Sequence, residues 1–209
     1  MINIKTRLDI VLPYIKGKEV LDLGCINHNL DLFNLDACLH AQMKKHCKYL
    51  MGVDILKEEV KKLNALGYNI VCQDVEKLKI NKKFDVVIAG ELIEHLSNPG
   101  MLLESARKHL KNNGILILTT PNPYALDRSL LSLVKSFHPV NPEHTVYFTK
   151  ETMKELLRRY GFRIKKVMYF NENMEFGYSN KPVIARIVYF IKNIRERFRE
   201  TIIFICEKN

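Results

Sequence analysis

Glu91, Glu94 and His95 stand at positions i, i+3 and i+4 of the run Glu91-Leu-Ile-Glu-His95. On a helical turn that spacing places three side chains on one face. Two carboxylates and an imidazole are ligands for a hard or borderline divalent cation, and they are equally groups that accept a proton. A second series is dispersed along the chain: Asp22 with Gly24, then Asp54, Asp74 and Gly90, each closing a short apolar run. An acid at such a point can take both hydroxyls of a ribose or reach an adenine amino group. A glycine lets a ligand come up against the backbone.

These residues need a scaffold that gathers strand ends. The apolar runs Glu19–Leu23, Tyr49–Val53, Asn69–Cys72, Phe84–Ala89 and Gly114–Thr119 read as buried strands, the last followed by a Pro121-Asn-Pro123 stop. Helical stretches separate them: Glu58–Leu66 before Gly67, and Pro99–Lys111 with proline at its start and Gly114 beyond its end. Continuous apolar strands alternating with helices predict an α/β fold, a mostly parallel sheet covered on both faces. In such a sheet ligands bind at the carboxyl ends of the strands, where the acids and glycines lie.

The last third differs. Residues 121–148 are irregular and rich in proline and histidine, long enough to predict a lid or substrate-facing insert. Thr149 is expected to cap a helix ending at Tyr160 and Gly161, and Arg163–Phe170 and Thr201–Glu207 read as two further strands. Residues 182–199 form an amphipathic pattern ending in Arg195, Arg197 and Arg199. That helix either covers the sheet or a dimer contact, the preferred reading, or rests peripherally on an anionic membrane.

The 209 residues carry 33 Lys and Arg against 23 Asp and Glu, with 47% hydrophobic and 27% charged residues, which excludes a disordered tail and predicts one domain over 1–209. The net charge of +10 suits an anionic partner or a solvated lysine surface equally. No apolar run reaches the ~20 residues of a membrane span, and the N-terminus lacks a signal-peptide pattern. Five cysteines without a Cys-x-x-Cys pair predict free thiols and a cytoplasmic location. Cys38, His40, His46 and Cys47 cluster as zinc ligands would, although the segment reads equally as a helix with buried cysteines.

Val20-Leu-Asp-Leu-Gly-Cys25, Gly52-Val-Asp-Ile55, Gln73-Asp-Val75, the run from Phe84 to Leu96 and that from Leu110 to Pro121 resemble, in order, the motifs of class I S-adenosylmethionine (SAM)-dependent methyltransferases of the type 11 and 12 kind. The resemblance covers residues 19 to about 162. It implies a Rossmann-like seven-stranded sheet whose last strand is antiparallel, SAM as methyl donor, Asp54 on the ribose, Asp74 by the adenine, and Gly24 and Gly90 bordering the methionine part, with Asp22 beside them. A nicotinamide dehydrogenase would instead carry Gly-x-Gly-x-x-Gly after the first strand, where this chain has Gly24 alone. The same loop departs from the methyltransferase pattern, with Ile26 and His28 where glycines are usual, and the segment from His28 to Lys48 is an elaboration.

The Glu-x-x-Glu-His element is similar to that of two methyltransferase groups, one acting on the 2′-hydroxyl at small-RNA 3′ ends and one on catechols in ubiquinone synthesis. By that resemblance Glu91, Glu94 and His95 hold a divalent cation (Mg, Mn or Zn), completed by His144, with His138 a lesser candidate. In other relatives Glu-His after the fourth strand lines the pocket without metal. A hydroxyl acceptor needs its proton removed, which makes His95, His144 and Glu91 the expected catalytic residues. Three readings follow: an O-methyltransferase of a small sugar, phenol or lipid precursor; an RNA ribose methyltransferase; and a non-catalytic SAM-fold binding module.

Overall fold

The computed structural model of the chain describes residues 6–26, 38–126, 128–130, 141–171, 188, 190–192 and 194–209. Seven strands form one sheet: β1 (Glu19–Leu23), β2 (Tyr49–Asp54), β3 (Ile70–Cys72), β4 (Phe84–Gly90), β5 (Leu110–Pro121), β6 (Phe162–Phe170) and β7 (Thr201–Lys208). Their order is β3-β2-β1-β4-β5-β7-β6. The pairs among β1 to β5 are parallel, and β7 runs antiparallel to both β5 and β6. The Rossmann-like α/β sheet with an antiparallel last strand is therefore as expected.

Alternation along the strands feeds two cores, because successive side chains leave a strand on opposite faces. Val20, Val86, Ile88, Ile117 and Ile203 pack under α1 (Arg7–Ile15), with Met43 of α2 (Leu39–Lys44). Leu21, Leu23, Val87, Ala89, Leu116 and Phe204 pack on the other face against α4 (Pro99–His109) and α5 (Lys150–Arg159). The remaining helix, α3 (Lys57–Ala65), buries Val60 and Leu63 against Ile70. At about 25 cal/mol per Å2 of apolar surface, two such layers are the main stabilising term.

Local signals account for most boundaries. Thr149 caps α5, its hydroxyl accepting from the Thr152 N–H at 3.2 Å, and Gly161 follows at φ +72°. At the other end of the chain, the Thr6 hydroxyl accepts from the Asp9 N–H while the Asp9 carboxylate accepts from the Thr6 N–H, a capping box that starts α1. Strand β5 begins at Leu110, four residues before the expected Gly114, and α4 ends accordingly at His109. The Pro121-Asn-Pro123 stop is a clamp: the Asn122 amide donates to the carbonyls of Arg197 (2.8 Å) and Arg199 (2.6 Å).

Residues 28–37 of the His28–Lys48 elaboration, residues 127 and 131–140 of the 121–148 insert (His138 among them), and residues 182–187, 189 and 193 of the 182–199 pattern lie outside the described residues. Among the described residues of that last pattern, Phe190 and Ile194 are exposed, whereas Lys192 is buried and paired with Glu200 at 3.0 Å. The expected helix does not reach Arg199, because Glu196–Phe198 forms a 3-10 turn. Among the described residues no helix is long and apolar enough to cross a membrane.

Candidate functional site

Parallel pairing brings the ends of β1, β2 and β4 to one edge: Leu23 lies opposite both Val53 and Ala89, and Gly90 opposite Thr119. A cavity of about 610 Å3 opens there. Gly24, Asp54, Asp74, Gly90 and Glu91 all line it, with Ile26, His95 and Arg7. Asp22 does not. Its carboxylate is turned away and lies 2.8 Å from His40 Nδ1. A hollow of about 700 Å3 at the opposite strand ends, between Lys18, Lys83 and Lys111, contains none of the expected site residues.

Asp54 is buried and already engaged. Its Oδ2 accepts from the Ile26 N–H at 2.9 Å and its Oδ1 from the Leu56 N–H at 3.2 Å, so one carboxylate orients both walls of the cavity. Each carboxylate oxygen can take a second donor, which leaves room for a diol. Gly24 needs to be glycine twice over: φ is +67°, and a Cβ there would sit 2.7 Å from Leu92 Cδ1. Asp74 caps the short 3-10 turn Val75–Lys77 through the Glu76 N–H at 2.9 Å.

Glu91 is the one non-glycine residue at positive φ (+48°) among the described residues. Its N–H donates to the Thr119 carbonyl and to the Thr119 hydroxyl, each at 3.0 Å. Strain held by surrounding bonds is characteristic of working sites. This kink has a consequence for the expected triad: the helical register starts only with the turn Ile93–His95. Glu94, His95 and His144 offer ligand atoms within 4.8 Å of one another, and Glu91 is not in that group. No such group forms from Cys38, His40, His46 and Cys47 among the described residues, where α2 turns His40 inward toward Asp22. The zinc reading there is thus replaced by the helical one.

Glu94 is fully buried. Burial first, and then the nearby charge of Glu91, push its carboxyl up to about 8, so it holds a proton at neutral pH. The Thr120 hydroxyl donates to its Oε2 at 3.1 Å, and its Oε1 has no hydrogen-bond partner. The His144 ring meets His95 edge-on at 4.6 Å between centroids, and its Nδ1 is likewise buried without a partner. Burial and the charges of His95 and Arg128 push His144 down, favouring the neutral imidazole. An orphaned carboxylate oxygen beside imidazoles fits a divalent cation: a cation would displace the Glu94 proton and satisfy both atoms.

Some site residues carry no motif. Arg7 reaches the cavity from α1, for which the Thr6–Asp9 capping box is the only sequence signal. Thr119, Thr120 and Thr145 act through hydroxyls whose partners are remote in sequence.

Known proteins agree with this architecture. A family model described as a methyltransferase domain matches residues 4–167. The ubiquinone biosynthesis O-methyltransferase of Rickettsia canadensis is 29% identical over 189 residues, 84% of this chain and 76% of that protein. The Coxiella burnetii protein of the same name is 32% identical over 115 residues, 52% of this chain, and the match spans 45% of that relative, under half its length. Among solved structures, a SAM-dependent methyltransferase from Archaeoglobus fulgidus superposes with a TM-score of 0.65 at 24% identity, covering 97% of this chain and 91% of that one.

Proposed function

Because this chain belongs to the class I SAM-dependent methyltransferase family, we propose that it transfers the SAM methyl group to a hydroxyl oxygen of a small metabolite, a phenol, sugar or lipid precursor. The observation that carries this reading is the Glu94–His95–His144 group beside the Gly90–Glu91 wall of the cavity. Such a set serves an oxygen nucleophile, which must lose a proton, better than a carbon one. The relatives named for ubiquinone biosynthesis O-methylation support the same acceptor class.

SAM supplies a methyl group already activated on a sulfonium, so the protein's task is chiefly alignment. In this reading Asp54 takes the ribose hydroxyls, Asp74 lies by the adenine, and Gly24 and Gly90 admit the methionine part. Arg7 offers the cation for its carboxylate. His144, kept neutral, accepts the acceptor's proton, with His95 alongside. If a divalent cation binds, Glu94, His95 and His144 would hold it, with Glu91 next to them. His144 would then serve as ligand instead of base, and the cation would acidify the acceptor hydroxyl so that its proton leaves to water. We take 1–209 as one methyltransferase unit. Free thiols at Cys25, Cys38, Cys47, Cys72 and Cys206 suit a cytoplasmic setting.

The test is transfer from methyl-labelled SAM to a panel of phenols with and without adjacent hydroxyls, plus short RNA, each with Mg, Mn or Zn ions and with chelator. Labelled ether on a vicinal diol, lost in His144→Ala, is the expected result. Label on RNA ribose would favour the nucleic-acid reading. Absence of SAM binding at millimolar concentration would overturn the enzyme altogether.

A further inference from the structure

Four side chains close the base of the glycine-poor loop from both sides. Asp22 precedes it, Cys25 stands at its start, and Cys38 and His40 follow it. His40 and Asp22 are both buried, 3% and 5% exposed, and lie 2.8 Å apart from Nδ1 to Oδ2. An ionised carboxylate can only accept, so Nδ1 carries the proton. The Cys38 thiol is directed at the Cys25 carbonyl, 3.8 Å away. Space for this packing comes from Gly52 on the neighbouring strand, where a Cβ would come within 2.5 Å of Cys25 Sγ and 2.9 Å of His40 Cε1.

The cavity wall begins immediately above, at Gly24 and Ile26. The N–H groups of Gly24 (2.8 Å) and Cys25 (3.3 Å) donate to the Val53 carbonyl, and that of Ile26 donates to Asp54. A loop rich in glycine can follow a ligand by its backbone alone. This one carries Cys25 and Ile26, whose side chains must be parked: both are buried, Cys25 beside His40.

We propose that His40 is a positioning residue for the methyl-donor site. Its bond to Asp22 locks the end of β1, and with it the Gly24–Ile26 turn, into the shape that leaves the cavity open. The proposal rests on the donor-site reading for its functional consequence, but its geometric part stands apart from it.

Two variants separate hydrogen bonding from packing. His40→Asn keeps a donor near the Nδ1 position and loses the ring; His40→Phe keeps a ring and loses the donor. Amide hydrogen exchange at Gly24, Cys25 and Ile26, without ligand, should accelerate about tenfold or more in His40→Phe and stay within about threefold of wild type in His40→Asn. Titration calorimetry with S-adenosylhomocysteine should weaken in the same order, by about tenfold or more for His40→Phe. The proposal is overturned if His40→Phe matches wild type, or if His40→Asn is as impaired as His40→Phe. Wild-type protein that fails to bind S-adenosylhomocysteine would sink the donor-site reading instead, and the exchange rates would still decide the role of His40.

Discussion

The Glu94 carbonyl accepts two hydrogen bonds from Thr145, one from its N–H at 2.8 Å and one from its hydroxyl at 3.0 Å. The same hydroxyl lies 2.8 Å from the Leu96 carbonyl. Through this staple a segment some 50 residues downstream delivers His144 to Glu94 and His95. Side-chain bonds of this kind are worth about 1 kcal/mol each, yet a misplacement of a fraction of an ångström at a reacting centre costs far more in rate. Thr145→Val keeps the N–H bond and the shape but removes the hydroxyl. Turnover should drop about tenfold, while S-adenosylhomocysteine affinity, governed by the opposite wall, should be unchanged. Equal turnover in the variant would show that the staple does not position His144.

Glu94 makes the stability of the protein fall with pH. Its carboxyl titrates at about 8 when folded, against 4.5 in the open chain. Between these values the native state holds a proton that the unfolded state has lost, so unfolding becomes easier as pH rises through that window. The loss is on the order of a few kcal/mol. Glu94→Gln cannot ionise and should melt higher than wild type at pH 8, and about equally at pH 5. Melting curves of the two proteins that fall in parallel across this range would rule the assignment out. Mn ions should narrow the gap at pH 8 by binding wild type alone.

Asp54 supports the donor site in two ways that mutation can separate. Asp54→Ala removes the charge together with the anchors of Ile26 and Leu56, and should weaken SAM binding by about a hundredfold or more. Asp54→Asn retains one acceptor for those N–H groups while losing the charge and half the acceptor capacity toward a diol, so an intermediate loss is expected. Calorimetry on both variants, alongside their melting temperatures, checks the order. An alanine variant that binds SAM as tightly as wild type would remove Asp54 from the site.

The strand ends were readable because a buried parallel strand must be apolar throughout, so Asp54, Asp74 and Gly90 stand out against their runs. The seven-stranded sheet and its antiparallel last strand followed from the resemblance of those runs to the methyltransferase motifs, whereas the strand order came only with the structure. What escaped the reading depends on contacts across the fold. Helix α1, and Arg7 with it, lies in a stretch whose charges mask its apolar face until the sheet supplies a partner for Ile10, Val11 and Ile15. Asp22 sits at the right strand end, yet His40 captures its carboxylate from a helix beyond the first loop. The i, i+3, i+4 pattern assumes a helix; the backbone at Glu91 is left-handed instead, so Glu91 lines the cavity while Glu94 and His95 group with His144.

That left-handed residue supplies a last prediction. A non-glycine side chain at φ +48° costs on the order of 1 kcal/mol, and the Glu91 charge also raises the Glu94 carboxyl. Glu91→Gly relieves both, so its melting temperature should rise despite the greater freedom glycine brings to the unfolded chain. The Glu94 carboxyl should titrate lower than in wild type while staying above the ordinary range, since burial is the larger of its two causes. Methyl transfer should fall, because the strained carboxylate lines the cavity beside His95. A variant that is both more stable and less active indicates strain retained for function; one that is less stable shows that the Thr119 bonds to the Glu91 N–H already compensate it.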